Sequence, residues 1–419
     1  MPIHHGTRAT PKKPAPRLSG SGPGDVRRHN RALILRTIRD KPGVSRAELA
    51  RLNGLSGPAV SLIVNELLNA LLIREDGPAL STGGRRATTL RVAENERYIL
   101  GVDVARHYIR VAITDLNATI LQQTTVPPGD DPDPQVNLQG LIDLVGRVID
   151  DADGVKERLL GIGIVAPGPL HTSTGELLGV TNFLNWQHLR LHSAFEERFM
   201  VPVRVDNDAN ACALALHWLG AGRNLRDFIY FAVDSGVGAG VVLNGEVYRG
   251  AHDLAAEIGH TTIDMNGPMC PCGNIGCLEI YTTLRATLMR WRGDEQPATA
   301  ADEVREVEAL IAAARSGDVK ALAAITETAR YLSFGVINAI TLFDPMVVFI
   351  GRELAAAGDM LVDPIRDAVS RRGLTPTGRA VPIELDPLGQ NTPLLGAACL
   401  ILCELFADSD LLSSLVRRG

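Results

Sequence analysis

The run Glu257-Ile-Gly-His260, continued by Cys270-Pro-Cys272-Gly-Asn-Ile-Gly276-Cys277-Leu-Glu279, decides how the chain is to be read. It sets one imidazole and three thiols in the spacing His-x9-Cys-x-Cys-x4-Cys. One His and three Cys form a soft ligand set suited to four-coordinate structural zinc. Gly273 and Gly276 let the backbone fold the thiolates onto one point. A disulfide is the alternative, but three clustered cysteines cannot all pair, and a chain without an export signal is expected in a reducing compartment. Zn2+ is therefore expected on His260, Cys270, Cys272 and Cys277. Four protein ligands leave no open position for water, so the role is structural rather than catalytic.

Two carboxylates flank the ligands. Glu257 lies one helical turn before His260, and Glu279 follows the last cysteine. A carboxylate pair pinned beside a rigid metal knot suits hydrogen bonding to a polyhydroxylated ligand. The spacing equally allows a helix cap or salt bridge for Glu257 and a solvated surface acid for Glu279.

Composition sets bounds around this stretch. The length of 419 residues suggests two or three domains, and 45% hydrophobic content is ample for a large core. Aromatic content of 4% argues against recognising single-stranded nucleic acid by stacking. No apolar run approaches the roughly 20 residues that a membrane helix needs. The first thirty residues have no apolar segment of the secretory kind, so the cytoplasm is the expected location. The net charge of −6 is unevenly spread. Residues 1–92 hold 16 Lys and Arg against 6 Asp and Glu, a balance of +10, which leaves −16 on the remainder. Such a split suggests an N-terminal segment that meets a polyanion, attached to an acidic domain that does not.

Residues 1–24 are rich in Pro, Gly, Ser and Lys and are expected to be a disordered tail. A helix is expected over 25–40, with Leu33, Ile34 and Ile38 inward, ended by Lys41-Pro42-Gly43. Ser45-Arg46-Ala47-Glu48 is a capping box that opens a second helix stopping near Gly54. Ser56 caps a third helix with Pro58 in its first turn. Val60, Ile63, Val64, Leu67, Leu68 and Leu71 fall on one face. Short helices about a tight glycine turn make a helix-turn-helix, with Gly57, Ser61 and Asn65 presented to base edges in the major groove. A plain three-helix bundle is the alternative. Strands over 73–75 and 89–92 would form a wing whose tip, Ser81-Thr82-Gly83-Gly84-Arg85-Arg86, suits a narrow minor groove through Arg85 and Arg86. A solvated hairpin tip is the alternative.

A new pattern begins near Tyr98. Three strands are expected over 98–103, 108–114 and 119–125, then a helix over 136–151 and a buried strand over 160–165. Another strand over 203–207 leads into a helix, and strands follow over 228–233 and 237–243. Helices dominate 301–342, strands return over 346–350 and 381–385, and a last helix covers 394–406. Mixed sheets with covering helices give an α/β class, and the openings at Tyr98 and Phe228 suggest two related lobes.

On these motifs the chain resembles the ROK family (repressors, open reading frames, kinases) from about Arg27 onward. The helix-turn-helix with its Gly-Gly-Arg-Arg wing is similar to the family's repressor branch. The resemblance implies two ribonuclease-H-like lobes of the actin-like sugar-kinase superfamily, with a sugar cleft between them. The sugar contacts it implies are Asn182, within Thr181-Asn182-Phe183-Leu184-Asn185-Trp186, Asn207, Asp208, Glu257, His260 and Glu279. Asp208 matches the general base of the family's kinases. The run Asp206 to Asn210 can also serve as an Asx-type helix cap.

Departures from the kinase pattern separate the branches. The kinases' Asp-x-Gly-Gly-Thr is here Asp103-Val104-Ala105-Arg106-His107. Their second phosphate loop, Gly-Thr-Gly, is Asp234-Ser235-Gly236, and their Gly-Gly-Gly is Gly351-Arg352-Glu353. Phosphoryl transfer depends on positioning and charge stabilisation, and a carboxylate beside phosphate is repulsive, so activity is expected to be absent. The expectation is a sugar-responsive repressor with residues 25–92 as a winged helix-turn-helix on double-stranded operator DNA and 93–419 as a two-lobed sugar-binding domain. A homodimer is expected, because operator symmetry mirrors protein symmetry. The other expectation the residues allow is an ATP-dependent sugar kinase with an added DNA-binding domain, in which Asp208 is the base.

Overall fold

The structure is a computed structural model that describes residues 23–78, 88–178, 183–293 and 300–418. Of the stretches singled out above, residues 1–22 of the expected tail, the wing tip 81–86 with Arg85 and Arg86, and Thr181 with Asn182 lie outside the described residues. The chain divides into two compact units, one of residues up to 70 with 75–91 and 406–419, the other of 71–74 with 92–405.

In the first unit, helices Pro23–Asp40, Arg46–Asn53 and Gly57–Asn69 follow in succession. Ile34, Leu35, Ile38, Leu49, Val60, Val64 and Leu67 are fully buried. Ser45 caps the second helix by accepting from the Glu48 N–H, while Glu48 accepts from the Ser45 N–H at 2.9 Å. Gly54 ends that helix at φ 64, a conformation that favours glycine. Ser56 accepts from the Ala59 N–H at 3.4 Å, and Pro58 sits in the first turn as its fixed φ permits. Glu66 ties the third helix to the first, taking Arg31 Nε at 3.0 Å and Nη2 at 2.9 Å.

Three departures from expectation occur here. The helix stops at Asn69, and Leu71 turns to φ 58 with 40% exposure, so the apolar face ends earlier than its spacing suggests. The sheet has a third strand, Val44–Ser45, on the far side of Thr88–Val92 from Ile73–Pro78. A further helix, Asp410–Arg418, follows the expected last one, burying Leu411 and Leu412. Its apolar residues, at 411, 412, 415 and 416, carry helical spacing, but over too short a run to stand out.

The second unit holds two five-stranded sheets of the same construction. The first runs in the order Val203–Asn207, Leu159–Ala166, Tyr98–Val104, Ile109–Thr114, Ile120–Val126. The last three strands are antiparallel and the first two join them in parallel. The second sheet repeats this: Glu246–Val247, Val237–Leu243 and Phe228–Val233 are antiparallel, and Val348–Gly351 and Ile383–Leu385 continue in parallel. Two copies of one topology are the pair of lobes expected from the sequence. Helices Pro134–Asp150 and Leu191–Phe199 belong to the core of the first lobe, and helix Val319–Phe343 to the second.

Helix Thr392–Phe406 returns against the first sheet. Its Ala397 carbonyl oxygen would lie 1.8 Å from a Cβ at residue 163, so only Gly163 admits the helix this close. No helix among the described residues is long and apolar enough to cross a membrane.

Candidate functional site

The Cys-rich loop folds as a knot. The Cys270 N–H donates to the Asn274 carbonyl at 2.7 Å, closing a turn that brings Cys270 and Cys272 back toward Cys277. Gly276 at φ 62 lets the chain pass under Asp264, whose carbonyl oxygen would lie 1.7 Å from any Cβ. Thr262 and Cys277 bridge, and the Leu278 N–H donates to Thr261, joining the loop to the short helix Ile258–His260. The result is four ligand atoms, from His260, Cys270, Cys272 and Cys277, all within 4.8 Å of one another.

Their spacing fits a metal. His260 Nδ1 is 3.8 Å from Cys270 Sγ, and Cys272 Sγ is 3.7 Å from Cys277 Sγ. Tetrahedral thiolates about 2.3 Å from zinc stand roughly 3.8 Å apart. All three thiols are free, so the disulfide alternative fails. Burial and hydrogen bonds from Cys270 and Cys272 push the Cys277 thiol up to about 12. Crowded thiols of this kind give up their protons to a bound cation.

Next to the knot lies an open cleft with about 580 Å³ of non-atom space, counted out to its mouth. Asn207, Asp208, Glu257, His260 and Glu279 all line it. Each is placed by a chain reversal at the end of an element. Asn207 ends a strand and caps helix Asp208–Leu219, its Oδ1 accepting from the N–H groups of Ala209 and Asn210 at 2.9 and 3.2 Å. The cap reading of this run is therefore correct for the Asn207 oxygen, and its amide nitrogen is left for the cleft. Asp206 is held behind by Arg249, with Nη2 to Oδ2 at 2.5 Å. Glu279 is buried and accepts from the Val237 N–H at 3.0 Å, so it is no solvated surface acid. Glu257 precedes the helix Ile258–His260 but makes no side-chain cap bond to it.

The carboxyls interact. Burial, then the charges of Asp208 and Glu279, raise Glu257 to about 7. Burial also raises Asp208, Arg352 opposes the shift, and Asp103 and Asp234 reinforce it. A ring of such groups can both accept from and donate to hydroxyls, and a ligand lacking one hydroxyl leaves a buried polar group unpaired.

Arg106, Asp234, Ser235 and Arg352 also line the cleft. Their place there was not anticipated, although charged residues in glycine-loop positions carry the signal. On the third helix, Gly57 and Asn65 are exposed and Ser61 is half-buried, one turn apart on the side away from Val60, Ile63, Val64 and Leu67.

The sequence profile of the ROK family matches residues 99–404. The xylose repressor of Bacillus subtilis strain 168 is 32% identical over 378 residues, 90% of this chain and 96% of that protein. A crystal structure described as a ROK family transcriptional regulator, homologous to E. coli Mlc, superposes with a TM-score of 0.80 at 27% identity, covering 94% of this chain and all of the other. A ROK glucokinase from Streptomyces griseus, solved with glucose and AMPPNP, gives a TM-score of 0.63 at 28% identity over 72% of this chain and 98% of its own. With matching lobes, a matching profile and relatives along nearly its whole length, the chain belongs to the ROK family.

Proposed function

We propose that the protein is a sugar-responsive, DNA-binding transcriptional regulator, a repressor released from its operator by a sugar or sugar derivative. The observation that carries this is the convergence of Asn207, Asp208, Glu257, His260 and Glu279 on one cleft that Arg106, Asp234 and Arg352 also line. Asn182 joins them as a sugar contact. The carboxylates accept from sugar hydroxyls, the Asn207 amide donates, and His260 shares its ring between metal and sugar. Residues 25–92 bind double-stranded DNA through Gly57, Ser61 and Asn65 in the major groove and Arg85 and Arg86 in the minor groove. The protein works in the cytoplasm as a homodimer, each operator half-site meeting one copy.

The metal is zinc on His260, Cys270, Cys272 and Cys277. Bound there, it supplies a rigid cross-link and no open coordination position. The surrounding chain does the rest, with Asn274 donating to Cys277 at 3.4 Å and the loop holding His260 at the cleft.

Sugar binding and DNA binding are coupled, so the sugar weakens DNA affinity by the same factor as DNA weakens sugar affinity. A thermal-shift screen over pentoses, hexoses, amino sugars and their phosphates, with and without ATP, tests the first half. A sugar that stabilises the protein without ATP and lowers its affinity for operator DNA is expected. Stabilisation by no sugar would sink it.

The likeness to a glucokinase and the placing of Asp208 favour a second function, ATP-dependent sugar phosphorylation. Ala105-Arg106-His107, Asp234-Ser235 and Arg352-Glu353 stand against it, because on the family resemblance they replace the glycines of the kinases' phosphate loops. A coupled assay reaching about 1 s⁻¹, the low end of ordinary turnover, would decide for the kinase.

A further inference from the structure

The three runs that replace the kinase glycine loops meet one another in the fold. Asp103, His107 and Arg110 come from the first sheet and its turn, Asp234 from the hairpin of the second, and Arg352 and Glu353 from the end of strand Val348–Gly351. All six are buried, Asp103 completely. Arg110 Nη2 donates to Asp103 Oδ2 at 2.7 Å and to the Tyr108 hydroxyl at 2.7 Å. Arg352 Nη2 donates to Asp234 Oδ2 at 2.6 Å, and its Nη1 lies 3.8 Å from Asp103 Oδ2. His107 stands between two carboxylates, with Nδ1 3.8 Å from Asp234 and Nε2 3.7 Å from Glu353. The Tyr108 hydroxyl lies 3.5 Å from Glu353, and Arg106 Nη1 donates to the Ser235 carbonyl at 2.7 Å.

Five of these eight contacts run from one lobe to the other, namely Arg352 with Asp103, His107 with Asp234 and Glu353, Tyr108 with Glu353, and Arg106 with Ser235. His107, Asp234 and Glu353 have the donor types of a cation site, with ligand atoms within 4.8 Å. Arg352 already places a positive charge against Asp234, however, so the protein supplies its own cation. Three carboxylates, two guanidiniums and one imidazole come close to electrical balance.

From this geometry we infer that Asp103, His107, Tyr108 and Arg110 of the first lobe and Asp234, Arg352 and Glu353 of the second form an interlobe clamp. The clamp closes the cleft and thereby sets sugar affinity. This rests on the sugar-cleft assignment above. A buried ion-pair network gains little net free energy over its hydrated parts. That suits a closure which a sugar must be able to tip, since a deeply locked cleft would not respond. Apparent sugar affinity scales with the closed fraction, so a variant closed one time in ten binds about tenfold more weakly.

His107, Tyr108 and Glu353 do not line the cleft, so changing them leaves its sugar-facing wall intact. The test uses the full chain as Glu353→Gln and His107→Asn, with Tyr108→Phe as a milder variant should either fail to fold. Sugar affinity is measured by calorimetry with xylose, glucose and N-acetylglucosamine, and amide exchange is followed at residues 104–108 and 234–237. The expected result is affinity lowered about tenfold, with a smaller loss for Tyr108→Phe. Exchange at those two segments accelerates without sugar and returns to the wild-type rate at saturating sugar. A merely structural defect would raise exchange throughout the lobes and would not reverse. Unchanged exchange in the folded variants overturns the clamp, as does a second equivalent of metal per chain that His107→Asn abolishes. If no sugar binds the wild type yet exchange at both segments still accelerates in the variants, the clamp stands and the sugar assignment falls.

Discussion

Glu257 is the carboxyl that governs how the cleft responds to pH. Unfolded, it titrates near 4.5; folded, it keeps its proton up to about 7, chiefly because ionising it in the buried cleft is costly. Between those values the folded state binds more protons than the unfolded, so stability falls as pH rises through the window. The loss is complete above pH 7 and reaches at most about 3 kcal/mol for a shift of this size. Glu257→Gln is expected to melt higher than wild type at pH 8 without sugar, and to show a flatter stability profile from pH 4.5 to 7. A smaller slope remains, because Asp208 is raised in the same sense. Parallel profiles for the two proteins, measured by thermal melts in matched buffers, would remove Glu257 from this role. Gly163→Ala has a steric cause instead: its Cβ would meet the Ala397 carbonyl, so helix Thr392–Phe406 must shift. About 3 kcal/mol or more should be lost in chemical denaturation, at the upper end for overpacking. The two residues differ in how legible they were. Glu257 was picked out by its distance from His260, whereas Gly163 is one glycine in an apolar strand, and its constraint lies in a helix more than two hundred residues away.

The Cys-rich loop was readable because ligand type and spacing are local, and the loop's folding adds only turns that glycine permits. One metal per chain is expected by elemental analysis of purified protein. Cys272→Ala should lose it and weaken sugar binding by displacing His260, with the fold of both sheets kept by circular dichroism. Full metal occupancy in Cys272→Ala would contradict the ligand set. The caps were equally legible, since Ser45 with Glu48, and Ser56 by itself, satisfy helix N–H groups within three residues, while Pro58 brings no N–H to the first turn. Elements that depend on distant partners were not. Strand Val44–Ser45 has two residues and exists only because Leu90 and Thr89 pair with it. Helix Asp410–Arg418 is held in its unit by contacts that include Arg28 Nε with Asp408 at 2.6 Å, a pairing no sequence window contains. The duplicated sheet order was visible as two strand-rich openings, but the parallel strands that complete each sheet are separated from them by whole helices.

Charge divides the chain more sharply than any motif: +10 on residues 1–92 and −16 on the rest. A phosphate backbone attracts the first part and repels the second, so operator binding should depend strongly on salt and fail without residues 1–92. Within those residues the two proposed contact sets are expected to do different work. Guanidiniums at a narrow minor groove exploit concentrated negative potential and lose less hydration on insertion than an ammonium would. An amide on the third helix can hydrogen-bond an adenine edge, which carries sequence information and no net charge. Replacing Arg85 and Arg86 together by Ala should therefore lower operator affinity, flatten the salt dependence by up to about two phosphate contacts and reduce preference for A·T flanks. Asn65→Ala should change base preference and leave the salt slope nearly intact. Sugar affinity measured without DNA should stay at the wild-type value in both variants, because all three changes fall in residues 1–92 and the described residues that line the cleft run from Ala105 to Arg352. Fluorescence anisotropy on a selected operator, across a salt series and at zero and saturating sugar, separates these effects. It also checks reciprocity, since the factor by which sugar weakens DNA binding must equal the factor by which DNA weakens sugar binding. If the double-arginine variant keeps wild-type affinity and slope, residues 81–86 are a solvated hairpin and the minor-groove assignment falls.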